Sequence, residues 1–518
     1  MNVSPRRPLF NRRPQSNIYR MFIYVVLLLG AVWILQEVSR GDIKPLFEPT
    51  PIPTRTFTSY MEEAEANAKA GSLNAAILAY KEALKLNPGD ALTWAELARI
   101  QTYSSTLLIT NPEKKDRLTE ALKSATKAVE LAPEDSTVRA IRAFTLDWNA
   151  NSFFNTTEEV QKFLQEAEQE ALIAQQLDNT NTRALAYYAE ILIDQQRWDQ
   201  AELVMQQVFE RPDADQLMDV HRINAYLLET LGQYNRAIAE YEKAVAIDPN
   251  FTFLYLRIGA NYRRLASEIQ NPETARPVYE QSLEYFDRAV KINEQIGVRD
   301  PGPHLSIART YSQLGEFFIA ARNVQKALEY EPTNADIYGQ LGVIYFRSRN
   351  YEGSIYSLKC AIRGCSGEDS CKGRGLERCF PDLGENPATI SGLALEPNTI
   401  VYYYIYGSVL AALSRPKDNR CGEALQVMQE VQEELEARPE AYADGRATIL
   451  SIVEAAEEIC SSLNADLEPT VTGTPPTPTG TPATTGTANP EATSAIATLV
   501  AQTTPSAPET DATPTPAP

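Results

Sequence analysis

From Phe57 to about Pro439 the chain repeats a pattern of roughly 34 residues, a period that means stacked two-helix units. An Ala followed five residues later by a Pro returns as Ala83 and Pro88, Ala128 and Pro133, Ala244 and Pro249, and Ala327 and Pro332. Twelve residues before each of these prolines stands another Ala: Ala76, Ala121, Ala237 and Ala320. A small residue also recurs earlier in the unit, as Ala64, Ala98, Ala189, Ala225, Gly259, Ala308 and Gly342, with Tyr262, Tyr311 and Tyr345 three places after the last three. Small residues let two helices approach closely, and the Pro ends the second helix because it cannot donate the helical hydrogen bond. Gly71, Gly232 and Gly315 mark left-handed turns between the helices, each followed two places later by Leu73, Tyr234 or Phe317. Trp198 and Tyr351 occupy the same slot without the Gly.

This pattern resembles the tetratricopeptide repeat family. The resemblance implies an all-α superhelical solenoid of about nine helix pairs, placed at 57–90, 91–135, 136–181, 182–217, 218–251, 252–300, 301–334, 335–368 and 398–440. Extra residues around Tyr103–Lys115, Asn149–Glu159 and Ser267–Val278 are expected in or beside the turns between helices, and a helix from about Ala441 to Leu463 caps the array, so that the solenoid spans 57–463.

The ends differ from this middle. Arg6, Arg7, Arg12, Arg13 and Arg20 lie in a basic segment, 1–20, that runs into the apolar Met21–Leu35. The reading is a transmembrane anchor at 21–38 with its N-terminus cytoplasmic and the bulk outside, a cleaved signal peptide being the rival. A Pro- and Thr-rich stalk would follow over 39–56. Residues 464–518, rich in Thr and Pro and without aromatic residues, read as a disordered spacer, with O-glycosylation as the other use of such composition.

All six cysteines fall late: Cys360, Cys365, Cys371, Cys379, Cys421 and Cys460. The first four border or lie in a Gly-rich insertion, about 364–397, that lacks the apolar residues to order itself. Local disulfides are the expectation, with Cys421 and Cys460 bridging the ninth repeat to its cap; pairing is otherwise open, since six cysteines allow about 15 connectivities. Zinc is the competing reading, but no CxxC pair occurs.

A net charge of −20, from 68 acidic and 48 basic residues, argues against a nucleic-acid partner, which requires a basic surface. No catalytic motif appears, and the two histidines, His221 and His304, fall at packing positions of a first helix, so no catalytic residue, metal or cofactor is assigned. In the family the first helix of each pair lines a concave surface. The resemblance therefore implies a peptide-binding row of Arg99, Arg183, Arg222, Tyr226, Arg263, Arg309, Phe346 and Arg347, gripping an acidic or C-terminal-carboxylate ligand through guanidinium groups. The function this implies is a membrane-tethered scaffold for protein assembly outside the cytoplasm. The alternatives are a cytosol-facing receptor of organelle-import type that binds client peptides and an accessory protein of a cell-surface or glycan-handling machinery.

Overall fold

Apolar positions spaced near 3.6 residues, interrupted by Gly, Pro and Asn, dictate short amphipathic helices joined by tight turns. The computed structural model describes residues 17–40, 55–108, 110–150, 155–377, 379, 387–443 and 445–467, and these form 21 α-helices and no β-strand. The chain divides into two units, residues 1–56 and 57–518.

In the first unit the described residues form helix α1, Ile18–Arg40. The expectation of a single-pass membrane anchor is corrected here: among the described residues no helix is long and apolar enough to cross a membrane. The strictly apolar run Met21–Leu35 reaches roughly 22 Å as a helix, short of the ~30 Å of a hydrocarbon core, and Arg20, Gln36 and Glu37 border it. The localisation built on that anchor, with a cytoplasmic N-terminus and the bulk outside, falls with it. Most of the expected basic segment and stalk lies outside the described residues, as does the expected tail beyond residue 467.

The second unit stacks helices in pairs. These are α2 (Phe57–Lys69) with α3 (Leu73–Leu86), α4 (Ala91–Ser104) with α5 (Asn111–Leu131), α6 (Ser136–Asn149) with α7 (Thr157–Leu177), and α8 (Thr182–Asp194) with α9 (Trp198–Phe209). There follow α10 (Met218–Thr230) with α11 (Tyr234–Ile247), α12 (Thr252–Glu268) with α13 (Pro272–Ile296), α14 (Gly302–Gln313) with α15 (Phe317–Tyr330), and α16 (Ala335–Arg347) with α17 (Tyr351–Arg363). After a short helix α18 (Gly367–Gly373) come α19 (Ile400–Leu413) with α20 (Cys421–Ala437), and then α21 (Arg446–Leu467).

Local chemistry explains the breaks. Gly71, Gly232 and Gly315 end their helices at φ between 71° and 77°; where Gly is missing, Gln196 and Arg349 take the same left-handed turn at φ 60° and 62°. That conformation costs an L-residue about 1–2 kcal/mol, so the packing on either side must impose it. Thr110 with Glu113 and Thr156 with Glu159 form capping boxes, which start α5 and α7 early and turn part of the extra sequence into added helix. Close packing explains the small residues: a Cβ on Gly259 would lie 2.5 Å from the Phe286 ring, and one on Gly342 the same distance from Leu358.

All six cysteines are paired. Cys360–Cys365 ties the insertion to α17, Cys371–Cys379 ties α18 to the segment after it, and Cys421–Cys460 joins α20 to α21. Cys365 and Ile390 exchange two backbone hydrogen bonds, closing the base of the insertion.

Candidate functional site

The first helices of successive pairs, α4, α6, α8, α10 and α12, curve until they face one another. Tyr103 on α4 is fully buried: its ring packs on Phe144 and Trp148 of α6 and, from the other side, on Phe251 and Phe253 at the start of α12, at centroid distances of 5.2 to 5.6 Å. Its hydroxyl donates to Asp219 of α10. The turn after α2 closes the same circle, since Asn250 Nδ2 donates to the Lys69 carbonyl at 2.9 Å. The inner face of these repeats is therefore a core filled by its own side chains rather than an open groove.

A buried ion network runs through that core. Asp219 accepts from Tyr187 at 3.2 Å and has Arg99, Arg183 and Arg222 at 3.8 to 3.9 Å. Arg222 also donates two hydrogen bonds to Glu190, at 2.5 and 2.7 Å, and Trp148 Nε1 donates to the same carboxylate at 3.2 Å. On the next pair, Glu229 takes Arg257 and Arg264, each at 2.7 Å, and Asn261 at 3.0 Å. Burial pushes the Asp219 carboxyl up, but the charges of Arg99, Arg222 and Arg183 outweigh it and hold the group below its ordinary value. Burial lowers Arg222, and Glu190 with Tyr103 and Asp219 more than reverses that, so Arg222 stays charged. Asp194 behaves differently. Burial and the neighbouring Glu190 push it up to about 7, against the opposing Tyr226 hydrogen bond and the Arg222 and Arg257 charges. Asp147 is also raised well above its ordinary value, by burial first and then by Asp194 and Glu190, against the Arg222 charge.

The row of side chains implied by the sequence is thus divided. Arg99, Arg183 and Arg222 are brought together, but on Asp219, and Arg222 is only 4% exposed. Tyr226 donates to Asp194 at 2.7 Å. Arg263 is 1% exposed and sits over the Phe286 ring at 5.5 Å, away from any surface a peptide could reach. Arg222 and Arg263 are enclosed, and the charges of the partly exposed Arg99 and Arg183 are already met by Asp219 and Glu96, so none of the four is placed for an incoming carboxylate. Arg309 on α14 and Arg347 on α16 stand apart from that core, half-buried, near Tyr402 and Tyr404 of α19 respectively. Phe346 is buried against Tyr351. Neither histidine is placed for chemistry: His221 shares a 2.8 Å hydrogen bond with Glu240, and His304 packs near Tyr330.

The residues that the sequence did not single out are the acids Asp147, Glu190, Asp194, Asp219 and Glu229. A signal for them exists. Glu190 to Arg222, Asp194 to Tyr226, Tyr187 to Asp219 and Glu229 to Asn261 are all separated by 32 residues, a constant spacing slightly shorter than the repeat, so partners lie on neighbouring first helices offset by a turn or less.

Family models described as tetratricopeptide repeat match residues 225–251, the end of α10 with α11, and 324–356, the second half of α15 with α16 and the start of α17. The chain carries tetratricopeptide repeats. The tetratricopeptide solenoid is similar to several solved structures. One is a thermophilic TPR protein, TTC0263 of Thermus thermophilus, with 18% identity, a TM-score of 0.33, 40% of this chain and 98% of that one. Another is MamA protein, with 18% identity, a TM-score of 0.19, 46% of this chain and 92% of that one. A third is the human IFIT1 dimer with PPP-AAAA, with 16% identity, a TM-score of 0.41, 80% of this chain and 92% of that one. No curated protein matches the chain.

Proposed function

We propose that this tetratricopeptide solenoid is a non-catalytic scaffold whose partner-binding surface lies on the first helices of its later repeats, α14, α16 and α19. The repeats imply protein partners. The observation that carries the choice of surface is the contrast between two sets of arginines. Those of the earlier repeats, Arg99, Arg183 and Arg222, converge on Asp219, whereas Arg347 lies half-buried beside Tyr404, and burial lowers it below its ordinary value. A cation whose charge burial disfavours gains from an incoming anion, and Arg309 on the preceding pair extends the surface by one repeat. The ligand that fits is a peptide with an acidic segment or a free C-terminal carboxylate.

The test is selection of a displayed library of C-terminal peptides on the full chain, followed by titration of the enriched peptides against R309A/R347A and R99A/R183A variants. Loss of at least about tenfold in affinity in the first pair only is the expected result, about the energy of one charge-assisted contact. Equal loss in the second pair, or none in the first, contradicts the reading.

A further inference from the structure

The three disulfides differ in what surrounds their sulfurs. Cys421 and Cys460 are both buried, so a thiol from solution reaches neither. In each of the other two bridges one cysteine is buried, Cys360 or Cys371, and its partner, Cys365 or Cys379, is partly exposed. An attacking thiolate therefore enters at Cys365 or Cys379, and the electron pair of the broken bond goes to Cys360 or Cys371. Burial disfavours a thiolate at both of these, so their neighbours decide. Cys360 Sγ lies 3.9 Å from the Asp369 carbonyl oxygen, whose partial negative charge opposes a thiolate. Arg374, itself buried, donates from Nη2 to Cys371 Sγ at 2.9 Å, and a guanidinium beside a sulfur stabilises its thiolate. Cys379 Sγ, on the other side of that bridge, lies 3.6 Å from the Gly367 carbonyl oxygen. The Cys371–Cys379 bridge is thus polarised, with a cation on the buried sulfur and a carbonyl on the accessible one.

We infer that Cys371–Cys379 is a thiol–disulfide exchange site that takes an external thiolate at Cys379 Sγ. The attacking sulfur forms a bond to Cys379 Sγ, the bond between Cys379 and Cys371 breaks, and its electron pair leaves on Cys371 as a thiolate held by Arg374. That step exchanges one disulfide for another. A dithiol reductant completes the reduction: its second thiolate attacks its own first sulfur, the dithiol leaves as a disulfide, and Cys379 takes a proton from water. The dithiol is oxidised and the protein gains its two electrons.

The site is anchored independently of the bridge. Ser357 of α17 donates to the Gly373 carbonyl at 2.6 Å, and Gln325 of α15 donates from Nε2 to the Arg374 carbonyl at 2.8 Å. The Arg374 amide donates in turn to the Ser370 and Cys371 carbonyls, at 3.0 and 3.1 Å. Cys371 and Arg374 therefore stay together in the dithiol form, and re-oxidation restores the bridge. The site does not depend on the Arg309 and Arg347 surface.

The experiment treats the folded full chain with dithiothreitol, quenches samples over time with iodoacetamide and reads each cysteine by peptide mass. Cys371 and Cys379 are expected to be alkylated at least about tenfold faster than the other four. With reduced glutathione in place of dithiothreitol, the mixed disulfide is expected on Cys379. Arg374→Gln should slow the reaction about tenfold, and Arg374→Lys, which keeps the charge, should restore most of the rate. An arginine that only holds α18 in place would give the opposite sign, since loosening the helix exposes the sulfurs. Earlier reduction of either other bridge, glutathione on Cys371, or an unchanged or faster rate in Arg374→Gln would overturn the assignment. Should the variants not fold, the order of reduction and the position of glutathione in the parent chain decide alone.

Discussion

Asn250 donates from its side chain to the Lys69 backbone carbonyl at 2.9 Å, although 181 residues separate them. The contact joins the turn before α12 to the end of α2, so the earlier repeats wind tightly enough to touch across their own axis. Gly71 completes the fit, since a Cβ there would lie 2.5 Å from the Asn250 carbonyl oxygen. Once the helices meet in this way, the inner face has to be filled, and large aromatic and charged side chains fill it.

Tyr103 is the side chain through which that filling can be tested. Tyr103→Ala removes a buried ring that touches α6 and α12 and is expected to destabilise the chain by about 3–5 kcal/mol. Tyr103→Phe keeps the ring and loses only the bond to Asp219, a charge-assisted hydrogen bond worth about 1.5–3 kcal/mol. Denaturant unfolding of the two variants should give that order.

Arg222 makes a different point about energy. Arg222→Met strands Glu190 as a buried charge, while Asp219 keeps Arg99 and Arg183, and should cost about 3–5 kcal/mol. Adding Glu190→Gln should recover part of that loss, and a double-mutant cycle measures how much. Simple additivity of the two changes would mean that the pair is not coupled as the geometry requires.

The pH dependence has two limbs of opposite sign. Asp194 rises from 3.8 to about 7 on folding, so the unfolded chain ionises first and the folded state loses stability as pH climbs through that interval. Asp194→Asn should therefore match the parent near pH 4 and exceed it increasingly up to about pH 7, with a plateau above. Glu240 runs the other way. Burial opposes ionisation, but hydrogen bonds from His221 and Lys243 hold the carboxyl at about 2 rather than 4.5, so its stabilisation is present above about pH 4.5 and is lost as acid takes the group through 2. Urea unfolding across pH 2 to 8 covers both intervals.

The bridge between Cys421 and Cys460 closes 39 residues and pins α21 to α20. Replacing both with Ser should cost the cap about 2–4 kcal/mol and raise amide exchange in α21 before any other helix of the later repeats. Protection of α21 equal to the parent's would show that apolar packing of Ile452 and Val453, both fully buried, suffices alone.

Much of the architecture was legible because it rests on local, repeated chemistry. Gly71, Gly232 and Gly315 announce their left-handed turns, whereas the capping box of Thr110 and Glu113 carries residues expected in or beside a turn into helix. Gln196 and Arg349 make the same turn with nothing in their side chains to signal it, because packing rather than propensity imposes it. The site was less legible, for a physical reason. Whether Arg222 faces water or Glu190 depends on how far the stack curves, and curvature sums small rotations that no single repeat reveals. The apolar segment Met21–Leu35 shows the same limit from another side: composition suggested a span, and length with its charged borders does not support one.

The central claim is that the earlier repeats close on themselves and leave no open groove. Spin labels on cysteines introduced at Lys69 and Pro249 test it most directly, because every native cysteine is paired. Double electron–electron resonance should return one short, narrow distance, lengthened and broadened by Tyr103→Ala. A long or broad distribution in the parent chain would mean that the superhelix is open, and the inner arginines would then be available to a ligand after all.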